Sequence, residues 1–362
     1  MTPNHVLLTG AFGFVGSHLA RHLVGAGKRV SIVERAGANG AAIADLLGRA
    51  RGEAPSMAPA VHEAGPGGRA PEALPAGSRR GGVEVFSFRD RPDELFAFMA
   101  AARPDVVVHL ASLFIAEHKP EEIGPLITTN VQFGTVLLEA MALAGVRRLV
   151  NTGTSWEHFH DAAYNPVCLY AATKKAFDDI AEFYAQAHGM RRVTLKLFDT
   201  YGPGDRRPKL FKALRQAAAR GETLRMSAGE QLIDLVYIDD VVAAFARAID
   251  LVAGTATGPQ GTGDAIAGEG PHPPALPVGQ SATGPEFGVS AGRRLRLRDL
   301  VETFGAVSGK PVPVEWGARP YRKREVMVPW TRFTPLPGWA PQIGLEEGIR
   351  RIFQREPWRE GE

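Results

Sequence analysis

Thr9-Gly10-Ala11-Phe12-Gly13-Phe14-Val15-Gly16 follows a short apolar run, Val6-Leu7-Leu8, and leads into a segment where Val15, Leu19 and Leu23 recur four residues apart. The run predicts a strand, the recurrence an amphipathic helix, and the glycine-rich octet the turn between them. Glycines at 10, 13 and 16 permit a tight turn, a close approach of backbone to a pyrophosphate, and close packing of the helix on its strand. The helix N-terminus then presents free N–H groups to the anion, so the stretch predicts a dinucleotide site. Such a turn also serves as plain punctuation, and the rest of the chain decides its meaning.

Outward from this turn, apolar strands alternate with amphipathic helices. Strands are expected at 29–33, 83–88, 105–110, 148–151 and 193–197, and helices at 92–101, 127–144 and 170–188. The alternation predicts an α/β fold, a Rossmann-like doubly wound parallel sheet over residues 1–200. Residues 201–362 are expected to form a smaller mixed C-terminal substrate-binding lobe, with 232–251 returning to the Rossmann domain. Two stretches rich in Gly, Ala and Pro, 37–82 and 254–292, read as flexible insertions.

With 362 residues, 44% hydrophobic and 22% charged, the chain has the composition of a globular protein with a sizeable core. No run approaches the roughly 18 apolar residues that cross a bilayer, and the first ten residues lack a signal-peptide pattern, so a cytoplasmic protein without a membrane partner is expected. A single cysteine, Cys168, excludes an internal disulfide; no Cys/His cluster has zinc spacing, and no metal is expected. Arginines gather at 293–298 and 319–324, yet the net charge is only +3 and no nucleic-acid motif accompanies them. A solvated face, or contacts to a diphosphate, is expected there in place of nucleic acid.

Tyr170 and Lys174, in Leu169-Tyr170-Ala171-Ala172-Thr173-Lys174, fall on one helical face. A phenol with an ordinary pKa near 10 serves as acid or base at neutral pH when a cation stabilises its phenolate, and Lys174 stands one turn away. Val150-Asn151-Thr152-Gly153-Thr154-Ser155-Trp156 ends the fifth strand with three hydroxyls; one is expected to bond a reacting oxygen and others to satisfy the turn. Glu34 ends the second strand about 20 residues past the glycines, where it is placed to accept the ribose hydroxyls of NAD. Arg35 beside it is placed instead for the 2′-phosphate of NADP; the cofactor is therefore NAD or NADP, with charge favouring NAD. His158 and His160 read as exposed loop histidines ahead of metal ligands or a proton relay.

Together these pieces resemble the extended short-chain dehydrogenase/reductase family of nucleotide-sugar epimerases, dehydratases and ketoreductases. The glycine turn, Asp105-Val106-Val107-Val108-His109-Leu110-Ala111, Asn130 in its apolar helix, the Tyr170/Lys174 segment, Phe198-Asp199-Thr200-Tyr201-Gly202-Pro203, Asp234 to Val242 and Pro337 to Ile349 occur in that family's order. The resemblance implies that Gly10, Phe12, Gly13, Phe14, Val15 and Gly16 surround the pyrophosphate and that Leu110, Ala111, Ser112, Asn130 and Phe198 also border the cofactor. It implies that Lys174 holds the nicotinamide ribose and that Tyr170, Lys174 and Thr152 are catalytic. Thr154, Ser155, Trp156 and Asp199 would meet the substrate. Ile233 stands where many relatives have an arginine, so the diphosphate contact is expected from Arg206, Arg207 or Arg322.

Gly153 and Thr154 occupy the positions where dehydratases of the family carry an acid/base carboxylate pair, so dehydration is not expected. The Asn151–Trp156 phrase followed by Tyr164-Asn165-Pro166-Val167 is most similar to CDP-abequose and CDP-paratose synthases. The resemblance thus implies an oxidoreductase acting at C4 of a nucleotide-activated hexose, reducing a 4-keto-6-deoxy sugar nucleotide, and forming a homodimer through helices 127–144 and 170–188. A 4-epimerase would use the same constellation, and a non-catalytic nucleotide sensor is the rival from another class.

Overall fold

The computed structural model describes residues 2–51, 83–207, 209–254 and 284–358. In its first half, β1 (His5–Thr9), α1 (Phe14–Gly25), β2 (Arg29–Arg35), α2 (Ala44–Arg51), β3 (Val83–Phe88), α3 (Pro92–Ala102) and β4 (Val106–His109) lead to α4 (Ile123–Ile127) and α5 (Phe133–Ala144). Then follow β5 (Arg148–Thr154), α6 (Leu169–His188), β6 (Arg191–Leu197), β7 (Asp199–Tyr201), α7 (Leu210–Arg220), β8 (Leu224–Arg225), β9 (Leu232–Tyr237) and α8 (Ile238–Ala253). The chain closes with β10 (Glu286–Val289), β11 (Arg294–Arg296), α9 (Leu297–Ser308), β12 (Val314–Glu315) and α10 (Leu345–Arg355).

Seven strands make one parallel sheet in the order β10-β6-β5-β4-β1-β2-β3. Its central strands are apolar along their length: Val6, Leu7, Leu8, Val106, Val107 and Val108 have no exposed surface. Continuous apolarity belongs to strands covered on both faces. Leu19 of α1 and Val241 and Phe245 of α8 bury one face, and Leu95 of α3, Leu137 of α5 and Phe177 of α6 bury the other. Strand order reverses between β1 and β4, and ligands of such sheets bind beyond the strand C-termini at that point.

Three features depart from the expected organisation. Segment 232–237 does not rejoin the large sheet but forms the centre of a three-stranded one, β11-β9-β7, while α8 after it packs against β4, β5 and β6. Glu286 to Val289, inside a stretch that reads as an insertion, instead extends the large sheet beside β6, with Phe287 opposite Leu195. Four residues carry too little periodicity to announce a strand; the free edge of β6 supplies the pairing. Of the expected insertions 37–82 and 254–292, residues 52–82 and 255–283 lie outside the described residues, whereas 40–43 and α2 bury Ile43 and Leu46.

The third departure is the helical run Pro120–Ala144, which is long and apolar enough to cross a membrane by length and composition. Leu126, Leu137, Leu138 and Met141 on it are fully buried, and α5 packs against α3 and α6. One face of the run is thus packed into the core, while Ile123, Ile127 and Leu143 on it are exposed.

Helix α6, which carries Tyr170 and Lys174, is bolted to the sheet by ions. Arg192 of β6 lies 2.5 Å from Asp178 Oδ1 and 2.9 Å from Glu182 Oε2 of the helix, while Asn151 Nδ2 and Thr194 Oγ1 donate to the same Asp178 oxygen at 3.1 and 2.9 Å. The Arg192 and Asp178 side chains are 1% and 3% exposed. Burial works against the Asp178 charge, but Arg192 and the hydrogen bonds outweigh it and hold the carboxyl below its ordinary pKa. Removing one partner of a buried pair leaves a stranded charge, so Arg192→Met should cost about 3–5 kcal/mol, read as a lower urea midpoint with an unchanged slope. The depressed Asp178 value means that its contribution is present above the ordinary carboxylate pKa and is lost as pH falls through the folded one, so the gap between variant and parent should narrow in acid.

Candidate active site

Beyond the C-terminal ends of β1, β2 and β4 lies a cavity of ≈ 860 Å³ lined by Gly10, Gly13, Glu34, Arg35, Leu110, Ala111 and Ser112 among others. The glycines of the turn have separate duties. Gly10 has φ +72°, and a Cβ there would meet Ala111 N at 2.6 Å; a Cβ on Gly16 would meet Gly10 O at 2.1 Å. Close passage of β4 and of α1 thus requires these two, while Gly13 has only Gly10 O at 3.2 Å and leaves room for a ligand. Phe12, Phe14 and Val15 do not line this cavity; they pack against the core, with Phe14 beneath the Arg207 guanidinium at 4.6 Å.

Glu34 accepts a hydrogen bond from Phe12 N at 2.8 Å, and burial pushes its pKa up to about 7 against the pull of the Phe12 and Ala11 N–H groups. Arg35 donates to Thr129 Oγ1 at 2.8 Å rather than pairing with Glu34. Asn130, expected at the cofactor, is spent inside the protein. Its Oδ1 accepts from Leu113 N and Ser112 Oγ at 2.7 and 3.2 Å, and its Nδ2 donates to Leu113 O and Thr173 Oγ1, each at 2.9 Å. A π-helical turn, Thr128–Gln132, places it fully buried at this junction, where it braces the loop after β4 against α6. Phe198 also misses the cofactor cavity and lines a second one.

That second cavity, ≈ 280 Å³, is walled by Phe114, Ser155, Trp156, His158, Phe198, Asp199, Lys209, Ile233, Arg322, Glu325 and Trp330 among others. Tyr170 lines neither cavity but lies against a wall of each: Ser112 of the first is close enough to act on its phenol, and Phe114 of the second meets its ring edge-on at 5.0 Å.

Lys174 is 1% exposed, its Nζ has no hydrogen-bond partner among the described residues, and burial lowers its pKa to about 8 against Glu157 and Asp178. Thr152 Oγ1 is likewise buried without a partner. Thr154 is occupied as a cap, accepting from Trp156 N at 3.3 Å while its own N–H donates to Glu157 Oε1 at 3.0 Å. The expected lowering of the Tyr170 pKa by Lys174 does not occur. Desolvation and then Glu157 push the phenol above its ordinary value, with Ser112 and Arg207 pulling the other way.

Of the arginines expected at a diphosphate, only Arg322 lines the second cavity; it is held by Glu325 at 2.8 and 2.9 Å and lies over Trp156 at 5.2 Å. Arg207 is committed to Asp205 at 2.6 and 2.7 Å and to Thr200 at 3.0 Å, and Arg206 is exposed outside both cavities. The chain also brings in residues that the sequence reading passed over: Phe114, Lys209 and Trp330. His158 is buried rather than exposed. Its Nδ1 donates to Ala162 O at 3.1 Å, its Nε2 accepts from Lys196 Nζ at 3.0 Å, and its ring stacks on Trp330 at 3.8 Å.

Lys196 in turn lies 3.1 Å from Glu157 and 2.7 Å from Glu286. The available signal was a lysine within the apolar strand 193–197. A Cβ on Gly153 would meet Lys196 Cγ at 3.0 Å and Glu157 Oε1 at 3.1 Å, so the acid that dehydratases carry at this place has no room. Among the described residues no group of His, Cys, Asp and Glu is arranged to hold a metal.

The chain is 28% identical over 153 residues to the CDP-abequose synthase of Yersinia pseudotuberculosis, an alignment covering 42% of this chain and 53% of that one. It is 27% identical over 278 residues to the UDP-glucose 4-epimerase of Mycolicibacterium smegmatis, covering 72% and 79%. The crystal structure of UDP-glucose 4-epimerase from Brucella ovis in complex with NAD has the same fold, with a TM-score of 0.71 over 97% of this chain and 98% of that one at 18% identity. Residues 6–258 match the NAD dependent epimerase/dehydratase family, and the chain belongs to that family.

Proposed function

We propose that the protein is an NAD-dependent oxidoreductase that reduces the C4 ketone of a nucleotide-activated 4-keto-6-deoxy hexose. The observation that carries the reading is Tyr170, held as a neutral phenol between a wall of each cavity. A protonated acid at that junction suits delivery of a proton to a ketone oxygen. The relatives named as synthases and epimerases of CDP- and UDP-sugars support a nucleotide sugar as substrate.

The residues fit a dinucleotide: the open space over Gly13, the Glu34 carboxylate in the cavity wall and the orphaned Lys174 Nζ are what its pyrophosphate, adenosine ribose and nicotinamide ribose require. When bound, the cofactor supplies the hydride. Tyr170 donates the proton, Thr152 Oγ1 hydrogen-bonds the same oxygen, and Lys174 donates to the ribose hydroxyls. Glu34 favours NAD over NADP because its carboxyl oxygens accept from ribose hydroxyls and offer a 2′-phosphate no cation.

A 4-epimerase is the second reading, favoured by the Mycolicibacterium relative. Leu143 on α5 and Phe183 on α6, 65% and 60% exposed, support a homodimer through these helices.

Denaturing the purified protein and identifying the nucleotide released tests the direction. A reductase exchanges its cofactor and oxidises NADH stoichiometrically with a 4-keto-6-deoxy sugar nucleotide; tightly held NAD with sugar interconversion and no net NADH consumption would establish the epimerase instead. Tyr170→Phe should lower kcat by about 10²–10⁴-fold with NADH affinity retained. Unchanged biological output from that variant would mark a sensor.

Lys174 gives a pH signature. Its ammonium loses its charge as pH rises through about 8. NADH affinity, followed by fluorescence, should therefore be level below that pH and fall above it, and Lys174→Gln should bind more weakly without this limb.

A further inference from the structure

We propose that Lys209 anchors the diphosphate of the substrate, taking the place of the cation that Ile233 does not supply; the proposal rests on the nucleotide-sugar reading of the second cavity. Charge accounting within that cavity points to it. Among its described lining residues the cations are Lys209 and Arg322, against four carboxyls, of which Asp205 is held by Arg207, Asp234 by Ser290 and Ala291, and Glu325 by Arg322, leaving Asp199. Arg322 is already neutralised by two hydrogen bonds to Glu325 and covered by Trp156.

Lys209 is in a different state. Its side chain is 28% exposed, its nearest carboxylate oxygen, Asp199 Oδ1, is 3.8 Å away, and its ammonium rests over the Phe114 ring at 4.9 Å. A separation of 3.8 Å is beyond hydrogen-bond reach, so the N–H groups have no acceptor among the described residues. Removal from water lowers its pKa, with Arg207 acting in the same direction and Asp199 opposing. An ammonium partly withdrawn from water, without a protein acceptor within hydrogen-bond reach and facing a cavity, is stabilised by an incoming oxyanion.

Its neighbourhood agrees. Lys209 is the N-cap of α7, which has no side-chain cap, and Leu210 and Phe211 of the first turn also line the cavity. The free N–H groups and the positive end of the helix dipole there add to the field of the ammonium. Across the cavity β9 offers no cation: Leu232, Ile233 and Leu235 are apolar, and the Asp234 carboxylate is spent on Ser290 Oγ at 2.6 Å and Ala291 N at 2.8 Å. Phe114, the ring beneath Lys209, also packs edge-on against Tyr170 at 5.0 Å and Trp156 at 5.4 Å. Anchoring the diphosphate at Lys209 therefore sets the distance from which the sugar reaches Tyr170.

Calorimetric titration of the whole protein with UDP and CDP, beside UMP and CMP, tests the anchor. Lys209→Gln should weaken nucleoside diphosphate binding by about ten- to hundredfold, weaken monophosphate binding less, and flatten the salt dependence of the diphosphate affinity. Lys209→Arg should retain most of the affinity, and NADH binding should be unchanged in both variants, which reports an intact fold. Equal diphosphate affinity in Lys209→Gln and the parent would overturn the anchor while leaving the nucleotide-sugar reading standing. Loss of affinity in Arg322→Gln with none in Lys209→Gln would transfer the role to Arg322. A parent protein that binds neither UDP nor CDP would overturn the anchor together with the reading beneath it.

Discussion

Arg192 and Lys196 stand on one face of β6, four residues apart and almost without exposed surface, and the active site hangs between them. Arg192 holds Asp178 and Glu182 and so fixes the register of α6, the helix that carries Tyr170 and Lys174. Lys196 gathers Glu157 and His158 from the segment after β5 and Glu286 from β10. Two charges buried this deeply are tolerated only because each faces carboxylates from other elements. The same requirement forces those elements into one arrangement, so the helix with the candidate catalytic pair and the aromatic wall of the second cavity share a frame.

The seam also explains the electrostatics of the site. Glu157, 1% exposed, serves Lys196 on one side and acts on Tyr170 and Lys174 on the other. Its negative field adds to desolvation in keeping Tyr170 a phenol, and it offsets part of the desolvation that would discharge Lys174. His158 is tied to Ala162 through Nδ1 and so can only accept at Nε2, facing the Lys196 ammonium. Burial, and then Lys196, hold its pKa down to about 4, leaving a flat neutral ring on which Trp330 stacks. A loop histidine thus becomes part of a wall, through the charge of a lysine 38 residues away.

Much of this was legible before any coordinates. The glycine turn and the alternation of strands and helices led to the sheet because their signals are local: a φ near +72° at Gly10, apolar strands buried on both faces, and a four-residue spacing on one helix. A role set by a distant partner is not written in neighbouring residues. Asn130 reads as a cofactor residue but spends its polar atoms on Ser112, Leu113 and Thr173. Arg207 reads as a diphosphate contact but is held by Asp205 and Thr200, and Glu286 to Val289 reads as loop but completes the edge of β6.

By itself the sequence determined the family's turn, the parallel sheet and the placing of Tyr170 and Lys174 on one helical face, because backbone conformation, hydrophobic periodicity and helical spacing are written in neighbouring residues. Tertiary structure alone decided which of the hydroxyls after β5 is free, which cations face the second cavity, and that Tyr170 stays protonated. Those outcomes depend on desolvation and on charges brought together from β5, β6, β10 and α6, and desolvation and long-range pairing exist only once the chain has folded.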